Sequence, residues 1–144
     1  MWYSLRRTID MDMKTHTFRL MPNQDLYLSI EGFLREQDIQ AGCVLACVGS
    51  LRKAAIRLAD KAVITEWEDR FEIVSLTGTV STHGSHLHIS ISDGDGKTIG
   101  GHLVEGNLIY TTAEIVIAAF PGLIYKREHC DESGYPELTV NSQN

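Results

Sequence analysis

His86 and His88 stand one residue apart, and a third histidine closes the run Gly100-Gly101-His102. Three neutral imidazoles gathered at one place suit a borderline divalent ion such as Zn2+. Three protein ligands also leave a fourth position for water or substrate, whereas structural zinc sites are usually closed by four. Water on such an ion is acidified toward neutral pH and can attack an electrophile. A nearby carboxylate would then serve as general base. The two candidates set inside strand-like apolar runs are Glu72 and Glu114. No nucleophile elbow, P-loop or dinucleotide fingerprint accompanies these residues, so the reaction class stays open. The plainer reading is a solvated strand face whose histidines are hydrogen-bonded, with Glu72 at a strand end facing water.

The elements around the histidines decide between these readings. His86-Leu87-His88-Ile89-Ser90-Ile91-Ser92 alternates polar and apolar residues, the pattern of a β-strand with one apolar face. His86 and His88 then share a face, because strand side chains repeat every second residue. Asp93-Gly94-Asp95-Gly96-Lys97 marks a hairpin loop. A three-residue loop over 94–96 would pair Asp93 with Lys97 and set His88 directly opposite His102. A slip of one residue would send His102 to the other face.

Elsewhere the chain reads as short strands and a single clear helix. His16 to Leu20 opens as a strand. Asp25 is a good N-cap for a helix from Leu26 to about Ile39, with Leu26, Ile30, Phe33 and Leu34 at helical spacing. Cys43 to Val48 is apolar on both sides and reads as a covered central strand broken by Gly49-Ser50. A weak second helix is conceivable over 60–69. Residues 70–80 form a long strand in which Glu72 would share a face with Val74, Leu76 and Val80. A β-rich run, 108–120, carries Glu114 on the face of Tyr110, Thr112 and Val116, and a last amphipathic strand follows over 123–128. The expected architecture is α+β, an α/β two-layer domain whose mainly antiparallel sheet of about seven strands is flanked by one or two helices. Residues 1–14 read as an N-terminal extension, 15–136 as the domain and 137–144 as a C-terminal tail.

The chain has 144 residues and 43% hydrophobic content, ordinary for one globular domain. Its formal charge of −6 is a poor match to duplex DNA, whose binders use lysine and arginine on phosphates. Arg52, Lys53 and Arg57 lie close in sequence, but Arg52 and Lys53 would sit on opposite faces of a strand. Cys43, Cys47 and Cys130 lack metal-type spacing and read as reduced core thiols, which fits a cytoplasmic location. No apolar stretch is long enough for a membrane helix. Long apolar strands on a small domain leave edges to cover, and closed cyclic oligomers are the usual solution.

With these segments in view, the chain resembles the plant and prokaryote conserved (PPC) domain family. The likeness runs from about Thr17 to Cys130. It is carried by Pro22-Asn23-Gln24-Asp25-Leu26, Gly49-Ser50-Leu51, Phe71 to Gly78, the histidine hairpin from His86 to Leu103, and Ala113-Glu114-Ile115-Val116. Asn23 stands where many relatives carry glycine, and asparagine tolerates positive φ. The resemblance implies a trimer with a DNA-binding or regulatory role. It also implies protein contacts through Arg70, Phe71, Glu72 and Ile73. In the plant branch minor-groove binding belongs to AT-hooks that precede the domain, and this sequence has no Arg-Gly-Arg-Pro hook. Three functions therefore compete: a trimeric scaffold that binds protein or DNA, a metal-dependent enzyme or small-molecule binder, and a purely structural trimer.

Overall fold

The computed structural model describes residues 12–143. The expected extension 1–14 falls mostly outside that range, and its last residue already begins the first strand. Nine strands and one helix follow in the order β1 (Lys14–Leu20), α1 (Leu26–Glu36), β2 (Gly42–Arg57), β3 (Ile64–Trp67), β4 (Phe71–Val80), β5 (His86–Ser92), β6 (Thr98–Leu103), β7 (Leu108–Ala119), β8 (Leu123–His129) and β9 (Pro136–Ser142). Seven strands form one antiparallel sheet, ordered β1-β7-β2-β4-β5-β6, with β3 alongside β2. β8 and β9 make a separate hairpin. The fold is strand-dominated, and the helical layer of the expected two-layer architecture shrinks to one helix of 11 residues.

That helix starts where the sequence says it should. Asp25 accepts a bond from the Leu28 amide at 3.0 Å, satisfying a free donor of the first turn. The other oxygen of its carboxylate accepts from the Gly106 amide at 2.6 Å, so the cap also ties the helix to the β6–β7 loop. Leu26, Ile30 and Leu34 form its buried stripe. The helix ends before the expected Ile39. Asp38 turns left-handed at φ 50°, its amide bonds the Arg35 carbonyl, and the Ile39 amide reaches back to Leu34 at 2.9 Å. This paired C-terminal cap buries Ile39 against the helix it terminates.

β2 organises the sheet. Its first part pairs with β7 and β4, and its last residues pair with β6, Ile56 opposite Leu103 and Arg57 opposite His102. Strands β2, β4, β5 and β6 thus close a circuit. Its interior is filled by Ile56, Phe71, Ile73, Leu76, Leu87, Ile89, Ile91 and Leu103. Gly101 permits this closure, because a Cβ there would meet the Arg57 carbonyl oxygen at 2.7 Å and Ile56 Cγ2 at 2.8 Å. Buried Asn107 fastens the same corner by donating to the carbonyls of Ala55 and Val104 and accepting from the Ala55 amide.

Several sequence expectations change. β2 runs through Gly49-Ser50 as one strand, with register shifts there instead of a break. It is not covered on both faces: Leu45 is 52% and Val48 59% exposed. An apolar run marks burial in an assembly as readily as burial in a monomer. The expected face partners of Glu72 are also split. A register shift between Ile73 and Ser75 reverses the alternation, so Glu72 and Val74 face out while Leu76 and Val80 turn to the core. Residues 64–67 within the weak helical segment form β3 against Ala54–Arg57. The expected C-terminal tail is mostly β9, paired with β8 from Pro136 to Ser142. All three cysteines are free but only half-buried, so none is a true core residue. Among the described residues no helix is long and apolar enough to cross a membrane.

Candidate metal centre

The histidine hairpin folds in the expected register. The Asp93 amide bonds the Lys97 carbonyl at 3.0 Å, and Asp93 Oδ1 accepts from the amides of Asp95 and Lys97, locking the loop. His88 therefore lies opposite His102. On the other side of β5, Thr77 pairs with His88 and Thr79 with His86. Leu87, Ile89 and Ile91 are buried, so the histidines on the alternate positions look outward.

The three rings converge. Centroids are 4.9 Å apart for His86 and His88, 5.2 Å for His86 and His102, and 5.8 Å for His88 and His102. One ligand nitrogen from each lies within 4.8 Å of the others. The Nε2 atoms of His86 and His88 are 3.1 Å apart. Tetrahedral zinc with Zn–N bonds of about 2.0–2.1 Å needs nitrogens separated by about 3.3 Å, so the cluster fits after small ring rotations. His102 Nδ1 is buried without a hydrogen-bond partner. A buried polar atom left without a partner is uncommon in folded proteins, and a coordinated ion is one way to satisfy it.

The electrostatics favour the neutral form of His86 and His102, the form that donates a lone pair to a metal. Burial, then the nearby Arg57 guanidinium and the two other rings, pushes His102 down to about 4. Burial, then His88 and Arg127, lowers His86 as well. The remaining histidines lie elsewhere: His83 bonds Gln40 Oε1 at 2.9 Å, His16 packs edge-on to Phe33, and His129 sits 3.4 Å from Asp131.

The carboxylates expected as bases do not join the cluster. Glu72 pairs with Ser50 and Ser92. It stands five residues along β4 from Thr77, about 16 Å at strand rise. Glu114 pairs with Arg19 and Val48 on the far side of β2. The Arg70–Ile73 segment is divided too. Phe71 and Ile73 are core residues, leaving Arg70 and Glu72 on the surface, with the Arg70 guanidinium 4.0 Å over the Tyr110 ring.

Sequence reasoning missed the other groups around the centre. An open cleft of about 960 Å³ beside His86 and His102 is lined by Arg57, Lys61, Arg127, Tyr135 and Glu137 among others. The basic group noted in the sequence disperses: Arg52 bonds Asn23, Lys53 pairs with Glu66, and Arg57 alone faces the histidines. Asn23 adopts φ 69°, as its place in the turn requires. Arg127 and Glu137 come from the β8–β9 hairpin, and no local pattern links them to residues some forty positions earlier.

Fold and site together define a strand-dominated single domain with an outward-facing three-histidine centre. The chain belongs to the Plants and Prokaryotes Conserved (PCC) domain family, also called PPC, which matches residues 7–121. It is 44% identical over 128 residues to the bifunctional protein GlmU of Synechococcus sp. strain JA-3-3Ab, covering 89% of this chain and 21% of that protein. The chain thus spans about a fifth of the length of that relative. An AT-hook motif nuclear-localized protein of Arabidopsis thaliana is 27% identical over 127 residues, covering 81% of this chain and 32% of that protein. Among solved structures, a hypothetical protein from Salmonella superposes with TM-score 0.92 at 33% identity, covering 96% of this chain and all of the other. A protein from Archaeoglobus fulgidus described as metal-containing superposes with TM-score 0.78 at 27% identity, covering 92% and 99% of the two chains.

Proposed function

We propose that this domain is a divalent-metal binder. His86, His88 and His102 hold the ion and leave a coordination position open for water or a small ligand. The observation that carries this is the convergence of three imidazoles, each offering a ring nitrogen within 4.8 Å of the others. The metal-containing description of the Archaeoglobus relative supports it. When bound, zinc would supply Lewis acidity and an acidified water. The residues of this chain orient the ligand nitrogens and hold two of the rings unprotonated. The test is elemental analysis of protein purified without chelators. Near one equivalent of metal per chain is expected, with loss in His88→Ala. Less than about a tenth of an equivalent would overturn the reading.

We also propose that the domain assembles as a homotrimer through the outer face of β7, β2 and β4. Val48 pairs with Glu114 across β7. The β2–β4 register, Cys43 with Thr79 and Ser50 with Glu72, sets Val48 against Val74. Leu45, Val48 and Val74, all exposed, form an apolar strip flanked by Arg70, Glu72 and Glu114. Apolar strips of this kind on a small domain mark association surfaces. Protein or DNA partners of a regulatory scaffold are the second reading, favoured by the plant relative named for its AT-hook motif. The net charge of −6 weighs against direct duplex binding. A gel shift at low salt without retardation would remove DNA from that reading.

A further inference from the structure

We propose that the cleft beside the histidines binds a small ligand bearing an oxyanion, a carboxylate or a phosphate, held between the histidine centre and the guanidinium groups of Arg57 and Arg127. This deepens the metal reading above and rests on it. The cleft, about 960 Å³, has the volume of a small-molecule site.

Its charge is the opposite of the chain as a whole. Arg57 lies directly across the ladder from His102. Arg127 donates from Nη2 to Thr79 Oγ1 at 2.7 Å, and Thr79 is the ladder neighbour of His86. Each guanidinium therefore stands one strand away from a ligand histidine. Neither takes part in any ion pair among the described residues. Lys61 adds a third cation to the wall, against the carboxylates of Asp60 and Glu137. Neutral imidazoles leave the charge of a bound divalent ion uncompensated, so an anion at the open position neutralises both the metal and the arginines. The planar guanidinium fork matches carboxylate and phosphate oxygens in pairs.

The placement of Arg127 adds a division of labour. The family match ends at residue 121, yet the β8–β9 hairpin beyond it supplies Arg127, Tyr135 and Glu137 to the cleft. The hairpin is tied to the domain: Ser81 Oγ lies 2.8 Å from the Gln40 carbonyl and 2.9 Å from the Tyr125 carbonyl, and the Tyr125 amide donates to the Gln40 carbonyl at 2.9 Å. The shared domain provides the histidines and Arg57, and the hairpin sets which anion fits.

Calorimetric titration of the zinc-loaded full chain with inorganic phosphate and, separately, with malonate tests this. Zinc content is measured on the same samples. At least one anion should bind, and Arg57→Gln and Arg127→Gln should each weaken it about tenfold or more while zinc content stays constant, the loss expected for one charge-assisted contact. The preferred anion identifies the ligand class. Arg57 is exposed, so its replacement leaves the fold intact even where loss of the Arg127–Thr79 bond does not; Arg127→Lys then serves as the second variant. Absence of binding by either anion to zinc-loaded protein would overturn the proposal. So would affinities within twofold of wild type in both variants, or displacement of phosphate by a short DNA duplex. Low zinc content would instead overturn the metal reading.

Discussion

His102 is the histidine most perturbed by its surroundings, and it carries a consequence for metal-free protein. Its folded value, near 4, lies below the ordinary 6.5 because burial and Arg57 disfavour the imidazolium. The folded state therefore binds fewer protons than the unfolded chain, and this contribution to stability is fully present above about pH 6.5. It is lost as pH falls from there toward about 4. Thermal unfolding of chelator-treated protein should show a fall in Tm across that window, reduced in His102→Gln. Saturating zinc should raise Tm at neutral pH, by the equivalent of about 2.7 kcal/mol at a hundredfold excess over Kd. That rise should vanish in His88→Ala. At this scale much was legible: the three histidines and their convergence follow from strand alternation and one loop length. Glu72 and Glu114 fall away from the histidine cluster, because charge within an apolar run says nothing about where along the sheet that charge falls.

Among the elements, the hairpin of β5 and β6 was the most predictable, because Asp93-Gly94-Asp95-Gly96-Lys97 fixes both turn and register by local hydrogen bonds. The contact of β6 with β2 is tertiary, and Gly101 is its pivot. Gly101→Ala should cost about 1–3 kcal/mol, as small-to-large changes in tight packing do. It should also lower metal content, since the clash falls between Arg57 and His102; denaturant melts and elemental analysis would measure both effects. Gly32→Ala is the control, with nothing within 4 Å of an added Cβ and a gain in helix propensity. The reversal of facing in β4 was invisible in the sequence. A β-bulge leaves no signature in Glu72-Ile73-Val74-Ser75, and it is chosen by how β4 must pair with β5 while still burying Leu76. The helix end was missed for a related reason: Asp38 adopts a left-handed conformation that aspartate tolerates but does not announce.

For the molecule as a whole, the exposed strip of Leu45, Val48 and Val74 is the feature a monomer leaves unexplained. Val48→Asp should dissociate the assembly, moving the mass in sedimentation equilibrium from three times 16.1 kDa to 16.1 kDa. Charge burial at an apolar interface costs several kcal/mol, enough to outweigh a contact of ordinary size. Unchanged mass in Val48→Asp, or a monomeric wild type, would contradict the trimer. The strip continues along the outer face toward Thr77 and His88, so metal content of the dissociated variant would reveal any dependence of the centre on assembly.

Sequence alone determined what is local: an alternating strand with two histidines on one side, a loop that returns the third to the same side, and a capped helix with one apolar stripe. Each depends on side-chain period or on hydrogen bonds within a few residues. Only the tertiary structure decided that β2 curls to meet both β4 and β6, that Arg57 and Arg127 stand beside the histidines, and that an apolar strand face is left uncovered. Those outcomes depend on packing between segments far apart in the chain, where the free energy lies in closure of the sheet as a whole and in no single stretch of residues.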